Sequence, residues 1–215
     1  MKNLMYKELR LALHPTAPIF LLLSAMLLIP DYPYYVLFFY TGLAVFFTCL
    51  SGRENQDVLF TALLPVSRAQ LVRARIGTAV LLEMVQWLCC IPFLLLRNHL
   101  IAVPNAAGMD ANLALLGLAL GMLGLFNFCF FTLYYRNVQK IGLPFLIAGS
   151  LEFLYIFTAE LLVHTVPFFR DCLDTPDPAF MAEKLTVLAI GFLLYVVLTA
   201  AAAYLAGRAF EKKDL

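Results

Sequence analysis

Charge is scarce in this chain. Of 215 residues only 13% are Asp, Glu, Lys or Arg, and 63% are hydrophobic. A soluble domain carries about 25% charged and about 45–50% apolar residues, so this composition excludes a chain that hides its apolar surface inside a water-exposed globule. No Gly-x-x-x-x-Gly-Lys-Ser/Thr segment occurs, and the chain is not expected to hydrolyse nucleotide by itself. The five cysteines are scattered. Cys49, Cys89, Cys90 and Cys129 fall inside apolar stretches, and Cys172 stands alone in a polar one. No pair has zinc-site spacing and Cys172 has no partner for a disulfide; the cysteines read as small apolar fillers. No Ser/His/Asp or Cys/His set stands out, and no internal or inverted repeat is evident. A cleavable leader is not expected either. Lys2, Lys7, Glu8, Arg10 and His14 crowd the first fourteen residues, and no small-residue cleavage pattern follows.

What is present is six apolar stretches, expected as six membrane-spanning helices of one all-α polytopic membrane protein, a single transmembrane domain over residues 1–215. Every second connecting segment collects basic residues. The N-terminus, 51–75, 134–141 and the C-terminus together carry twelve: Lys2, Lys7, Arg10, Arg53, Arg68, Arg73, Arg75, Arg136, Lys140, Arg208, Lys212 and Lys213. The opposite segments carry three, Arg97, Arg170 and Lys184. Basic loops stay on the cytoplasmic side, which predicts two cytoplasmic termini in a cell (plasma) membrane. The net charge of +1 is thus the sum of two biased sides, and the bias sets orientation rather than nucleic-acid binding.

Residues 1–14 place Met5, Leu9 and Leu13 on one row and basic residues elsewhere, the pattern of a short helix in the cytoplasmic interface, ended by Pro15. The spans are expected at about 16–29, 34–50, 68–96, 112–134, 142–166 and 185–206. The first is short, since a crossing takes about 20 residues. In 51–75, Val58 to Leu64 is apolar but too short to cross, Pro65 breaks it, and Ser67-Arg68-Ala69-Gln70 has capping-box form, so a new helix should start at Arg68 and carry Arg73 and Arg75 in water before entering the membrane. Gly117, Gly121 and Gly124 in the fourth span are spaced for close helix packing, as is the run of alanines at 200–203. Residues 97–111 and 167–183 are outer loops, the second acidic and rich in proline.

Glu83 and Gln86 in the third span and Glu152 in the fifth are candidates for a substrate path or a proton relay, because charged groups at mid-bilayer face a bundle interior or a wet cavity. Interhelical hydrogen bonding is the plainer alternative. Glu160 and His164 share a helix face, but no third ligand completes a metal site, and solvation near the outer surface explains them more simply. The stretch around Val58, Leu59, Phe60, Leu63 and Leu64, beside Arg53, Glu54 and Asp57, is amphipathic. Such a segment floats on the bilayer or fits a groove on a protein partner.

The opening Met1-Lys2-Asn3-Leu4-Met5-Tyr6-Lys7-Glu8-Leu9-Arg10 and the loop from Arg53-Glu54-Asn55 through Leu63-Leu64-Pro65-Val66-Ser67-Arg68 to Ala74-Arg75 resemble the permease subunits of ABC-2-type transporters, the small bacterial kind whose ATPase is a separate polypeptide. The resemblance implies an elbow helix over 1–14 and a coupling helix in 51–75 that docks on an ABC ATPase subunit, with Arg53, Glu54, Asp57, Phe60, Leu63, Leu64 and Arg68 as docking residues. It implies a second permease chain, ATP and magnesium bound by the partner rather than by this chain, and export of a lipid-like, peptide or drug-like substrate. Competing readings are a non-transporting immunity or sensor subunit, an intramembrane enzyme using Glu83, Glu152 and Glu160, and an ion-driven transporter.

Overall fold

The computed structural model describes residues 2–100 and 104–212. Lys213, counted among the C-terminal basic residues, lies outside the described residues, as do positions 101–103 of the loop expected over 97–111. Every regular element among the described residues is helical. α1 starts as an α-helix, Lys2–Lys7, and continues as a π turn, Glu8–Ala12. α2 is α-helical over Thr16–Leu21 and 3-10 over Leu22–Leu28. Then come α3 (Tyr35–Glu54), α4 (Asp57–Ala62), α5 (Arg68–Leu100), α6 (Leu113–Tyr134), α7 (Gly142–Thr165) and α8 (Met181–Glu211). Five of these, α3 and α5 to α8, are long and apolar enough to cross a membrane. The α1–α2 pair makes a sixth if it counts as one broken span.

The break between α1 and α2 is a bend of 87°. Leu13 is extended, with ψ at 125°, and Pro15 disfavours the α region for His14 before it, so the chain turns at Leu13-His14-Pro15. Thr48 of α3 receives the freed His14 N–H at 3.2 Å. The inward row of α1 is Leu4, Glu8 and Ala12, while Leu9 and Leu11 are exposed. That corrects the expected row of Met5, Leu9 and Leu13 by one position, and the cause is a carboxylate drawn inward by a buried arginine, described below. The 3-10 half of α2 rises about 2.0 Å per residue, so its thirteen residues reach about 23 Å. α2 stays short of the roughly 30 Å of hydrocarbon in a bilayer.

α5 begins where the capping box places it. The Gln70 N–H donates to Ser67 Oγ at 3.2 Å and the Ser67 N–H donates to Gln70 Oε1 at 3.1 Å. The helix then runs to Leu100, a turn past the expected end near 96, and spans about 50 Å. Arg97 therefore sits within α5 rather than in a loop. It is buried, donating to Asp110 Oδ1 at 3.1 Å, with its guanidinium 5.1 Å from the Tyr34 ring centre.

α6 is the central helix, with 72% of its apolar window buried against 28% for α7 and 22% for α8. Its glycines divide their work. A Cβ on Gly117 would lie 2.6 Å from Leu188 Cα and one on Gly124 would lie 2.8 Å from Tyr195 Cα, whereas one on Gly121 would face the Tyr155 hydroxyl of α7 at 3.0 Å. The α6–α8 seam is thus Gly117 against Gly191, whose own added Cβ would collide with the Gly117 carbonyl, and Gly124 against the Tyr195 backbone. Gly121 serves the other neighbour. Replacing Gly191 by Ala is expected to destabilise the bundle by about 2–3 kcal/mol through overpacking against backbone. Gly142→Ala, where nothing lies within 4 Å, should change thermal unfolding in detergent little. Equal melting of the two variants would contradict this seam.

Toward the end of the bundle that carries α4, α6 presents a ladder at i, i+4. Phe126 stacks on Phe130 at 5.2 Å and Phe130 on Tyr134 at 5.7 Å. At the opposite end, side chains cap the N-terminus of α6. Asn112 accepts from Leu115 N at 3.0 Å, and Asp177 accepts the Leu113 N–H at 3.1 Å.

Candidate functional site

α4 is six residues long. Asp57 in its first turn complements the helix dipole, and Pro65 three residues beyond its end keeps it short. Its outward edge is apolar: Phe60 is 67% exposed, and beyond the helix end Leu63 is 86% and Leu64 44% exposed. Beside this edge Arg53 and Glu54 are accessible and form a loose pair at 3.8 Å. A cleft of about 490 Å³ opens between α4 and the α1–α2 bend, lined by Arg10, His14, Ser51, Asn55 and Phe60 among others.

The inward edge of α4 is ionic. Asp57 accepts from Lys7 Nζ at 2.6 Å and from Arg75 Nη2 at 2.5 Å. Arg75 also pairs through Nε with Glu8, and Lys7 reaches Glu8 at 2.9 Å and Thr61 Oγ1 at 3.0 Å. Two cations and two anions therefore neutralise one another at the junction of α1, α4 and α5. Glu8 and Arg75 are 1% and 2% exposed. Arg75 was expected in water and is instead the centre of this cluster, because a guanidinium can serve two carboxylates from its fixed fork of donors. Asp57, expected on the docking surface, turns inward and fastens α4 to the bundle. Arg68 reaches the end of α8, with Nη1 3.4 Å from the Phe210 carbonyl and the guanidinium 5.9 Å from the Phe210 ring centre.

The second region is the interior of the bundle. Glu83 is fully buried. Its Oε2 accepts from the Tyr195 hydroxyl at 2.6 Å and from Asn127 Nδ2 at 2.9 Å, and that Nδ2 lies 3.2 Å from Thr199 Oγ1. Gln86, one turn along α5, donates instead to Ser24 of α2 at 2.8 Å. Glu152 is fully buried on α7 with no hydrogen bond to either oxygen. The three candidates therefore do not form one patch. Glu83 belongs to a network of α5, α6 and α8, Gln86 fastens α2, and Glu152 stands alone. Asn127, Tyr195 and Thr199 were missed from sequence. Asn127 carried a signal, as the lone amide in an otherwise apolar span; a tyrosine and a threonine in a membrane helix carry none. An apolar groove of about 390 Å³ lies beside the network, lined by Met84, Trp87, Leu120, Leu188 and Phe192.

Glu160 accepts the Met109 N–H at 3.1 Å and so fastens the loop before α6, while His164 is exposed. Among the described residues no three His, Cys, Asp or Glu side chains gather as a metal site would require. Comparison with protein-family models, with curated proteins and with solved structures found no match in any of the three.

Proposed function

We propose that this chain is the membrane-spanning subunit of an ATP-driven transporter of the ABC-2 type, with α4 as the coupling helix that docks a separate ATPase. The observation that carries this reading is the mounting of α4. A helix too short to cross anything, with the turn that follows it, presents Phe60, Leu63 and Leu64 outward and is held by a buried ionic cluster to both α1 and α5. An apolar edge needs a partner, and a rigid mount makes that partner's motion felt along α5.

In this reading α1 lies along the cytoplasmic surface as the elbow, the α1–α2 pair completes six crossings, and both termini are cytoplasmic in the cell membrane. Phe60, Leu63 and Leu64 fill a groove of the ATPase while Arg53 and Glu54 set register. ATP and magnesium reside in the partner, and a second permease chain completes the transporter. The apolar groove beside α5 and α8 supports an apolar or lipid-like cargo, moved outward.

The test is co-expression with a phosphate-loop ATPase encoded beside this chain, followed by affinity capture in mild detergent. Phe60→Ala with Leu63→Ala should reduce capture at least about tenfold while leaving the amount of folded chain unchanged, because both side chains are exposed. Undiminished capture by the double variant would overturn α4 as the docking helix.

A further inference from the structure

Glu83 sits about 22 Å along α5 from Arg68, deep in the apolar part of the helix. Donors from two other helices converge on a single one of its oxygens, Oε2. The second oxygen, Oε1, has no hydrogen-bond partner, and neither has Asn127 Oδ1, although both side chains are fully buried. The network therefore presents unmatched oxygen acceptors in a place where water is excluded. Leaving such groups unmatched is costly, and the species that satisfies acceptors alone is a cation.

The surroundings supply no fixed one. Among the described residues no basic side chain pairs with Glu83 or Glu152. The titratable group in contact with Glu83 is Tyr195 from α8; α6 contributes the neutral Asn127, Ser24 of α2 is held by Gln86, and Glu152 on α7 is the other buried carboxyl, with no hydrogen bond to either oxygen. The two carboxyl groups are nonetheless unlike. Glu152 has no donor at either oxygen that could hold an anion. Glu83 has two donors placed to hold an anion, so it alone can alternate between a neutral and an ionised state.

We propose that Glu83, Asn127, Tyr195 and Thr199 form a site within the helix bundle that takes up and releases one monovalent cation, a proton or a sodium ion. Glu83 Oε1 and Asn127 Oδ1 face the ion, and Tyr195 holds the carboxylate when the ion leaves. A small, mainly apolar cavity of about 10 Å³ lies against Arg75 of the ionic cluster, with Val45, Thr48, Thr78 and Leu82 among its lining. It is at the lower limit of room for one water. The site does not depend on an ATPase docking at α4. It deepens the transporter reading only in that α5 joins the two.

The test is infrared difference spectroscopy of the purified chain in lipid nanodiscs, following the carboxylic-acid carbonyl stretch through a pH titration, once in sodium chloride and once in choline chloride. One acid band should disappear as pH rises and be absent in Glu83→Gln. A second, insensitive to pH, should be absent in Glu152→Gln. A midpoint that falls in sodium relative to choline identifies sodium as an occupant; the same midpoint in both identifies the proton. Tyr195→Phe keeps the ring and removes one donor, so it should raise the midpoint by about one pH unit, and this variant keeps the test open if Glu83→Gln fails to fold. A Glu83 acid band unchanged at every pH in both salts overturns the proposal, as does a midpoint that Tyr195→Phe leaves in place.

Discussion

Replacing Arg75 by Met is expected to cost about 3–5 kcal/mol, the range for breaking a buried ion pair from one side. Arg75 is the hinge pin of its cluster. Without it Glu8, 1% exposed, retains only Lys7 as a cationic partner, and that lysine must also serve Asp57. An uncompensated carboxylate then remains where water does not reach it. The strain is relieved most easily by letting α1 peel away, because α1 is short and meets α2 at a bend. Hydrogen exchange should therefore rise first over residues 2–12 and 57–62, with α6 unchanged. Adding Glu8→Gln should recover most of the lost stability, since removing both charges replaces a broken pair by a neutral contact. If Arg75→Met alone and the double variant melt together, the cluster is not an interdependent unit. In the proposed transporter the single variant should also lose ATPase capture although Phe60, Leu63 and Leu64 are untouched, because their mount has loosened.

The elements of the fold were legible from sequence because they follow local rules. Ser67 and Gln70 announced the start of α5 by their own chemistry, and both hydrogen bonds of the capping box are formed. The six apolar stretches marked the helices, the first of them short, and the structure has five long enough to cross and a bent pair at the sixth, since helices satisfy their own backbone groups whatever lies beyond. Partnership between distant helices was not legible. Glu8 and Arg75 are 67 residues apart, and each alone reads as a surface charge at the edge of an apolar run. Only the bend at His14-Pro15, which folds α1 back across α5, makes them neighbours. The glycines teach the same lesson. Their spacing showed a close approach, but which partner each one meets depends on where α7 and α8 lie around α6, and Gly191 became informative only when it met Gly117.

For the candidate site the divide falls along the same line. Glu83 and Glu152 were conspicuous because carboxylates are rare in apolar spans. Their difference was not, since it rests on Tyr195 and Asn127, which approach Glu83 from other helices and leave Glu152 without a donor. The docking edge behaved otherwise. Phe60, Leu63 and Leu64 are exposed because α4 turns Val58, Thr61 and the ion-paired Asp57 toward the bundle and leaves its opposite edge and the following turn outside. Which face is outward depended on Asp57 being claimed from within.

Lys184→Met is expected to be the second severe change, and its effect belongs to the opposite end of the bundle. Lys184 is fully buried at the start of α8. Its ammonium donates to the Thr175 carbonyl at 2.6 Å and to Asp177 Oδ1 at 3.0 Å, while the other oxygen of Asp177 receives the Leu113 N–H. One cation thus holds the loop between α7 and α8 over the N-terminus of α6. Its removal leaves a carbonyl and a carboxylate short of a donor and should cost about 3 kcal/mol or more, seen as faster hydrogen exchange over 104–113 and 173–177. A pH signature should accompany it. Burial pushes the Asp174 carboxyl up from its ordinary range, and the charge of Lys184 is among the influences that pull it back. With Lys184 gone the carboxyl moves further up. A carboxyl raised in the folded state contributes stability that is present below its unfolded value, about pH 4, and is lost as pH rises through the folded value. The variant's loop between α7 and α8 should therefore be firmer in mild acid than at neutral pH, by a wider margin than in the parent chain. Exchange that is faster in the variant by the same factor at both pH values would mean that Lys184 acts only through its own hydrogen bonds.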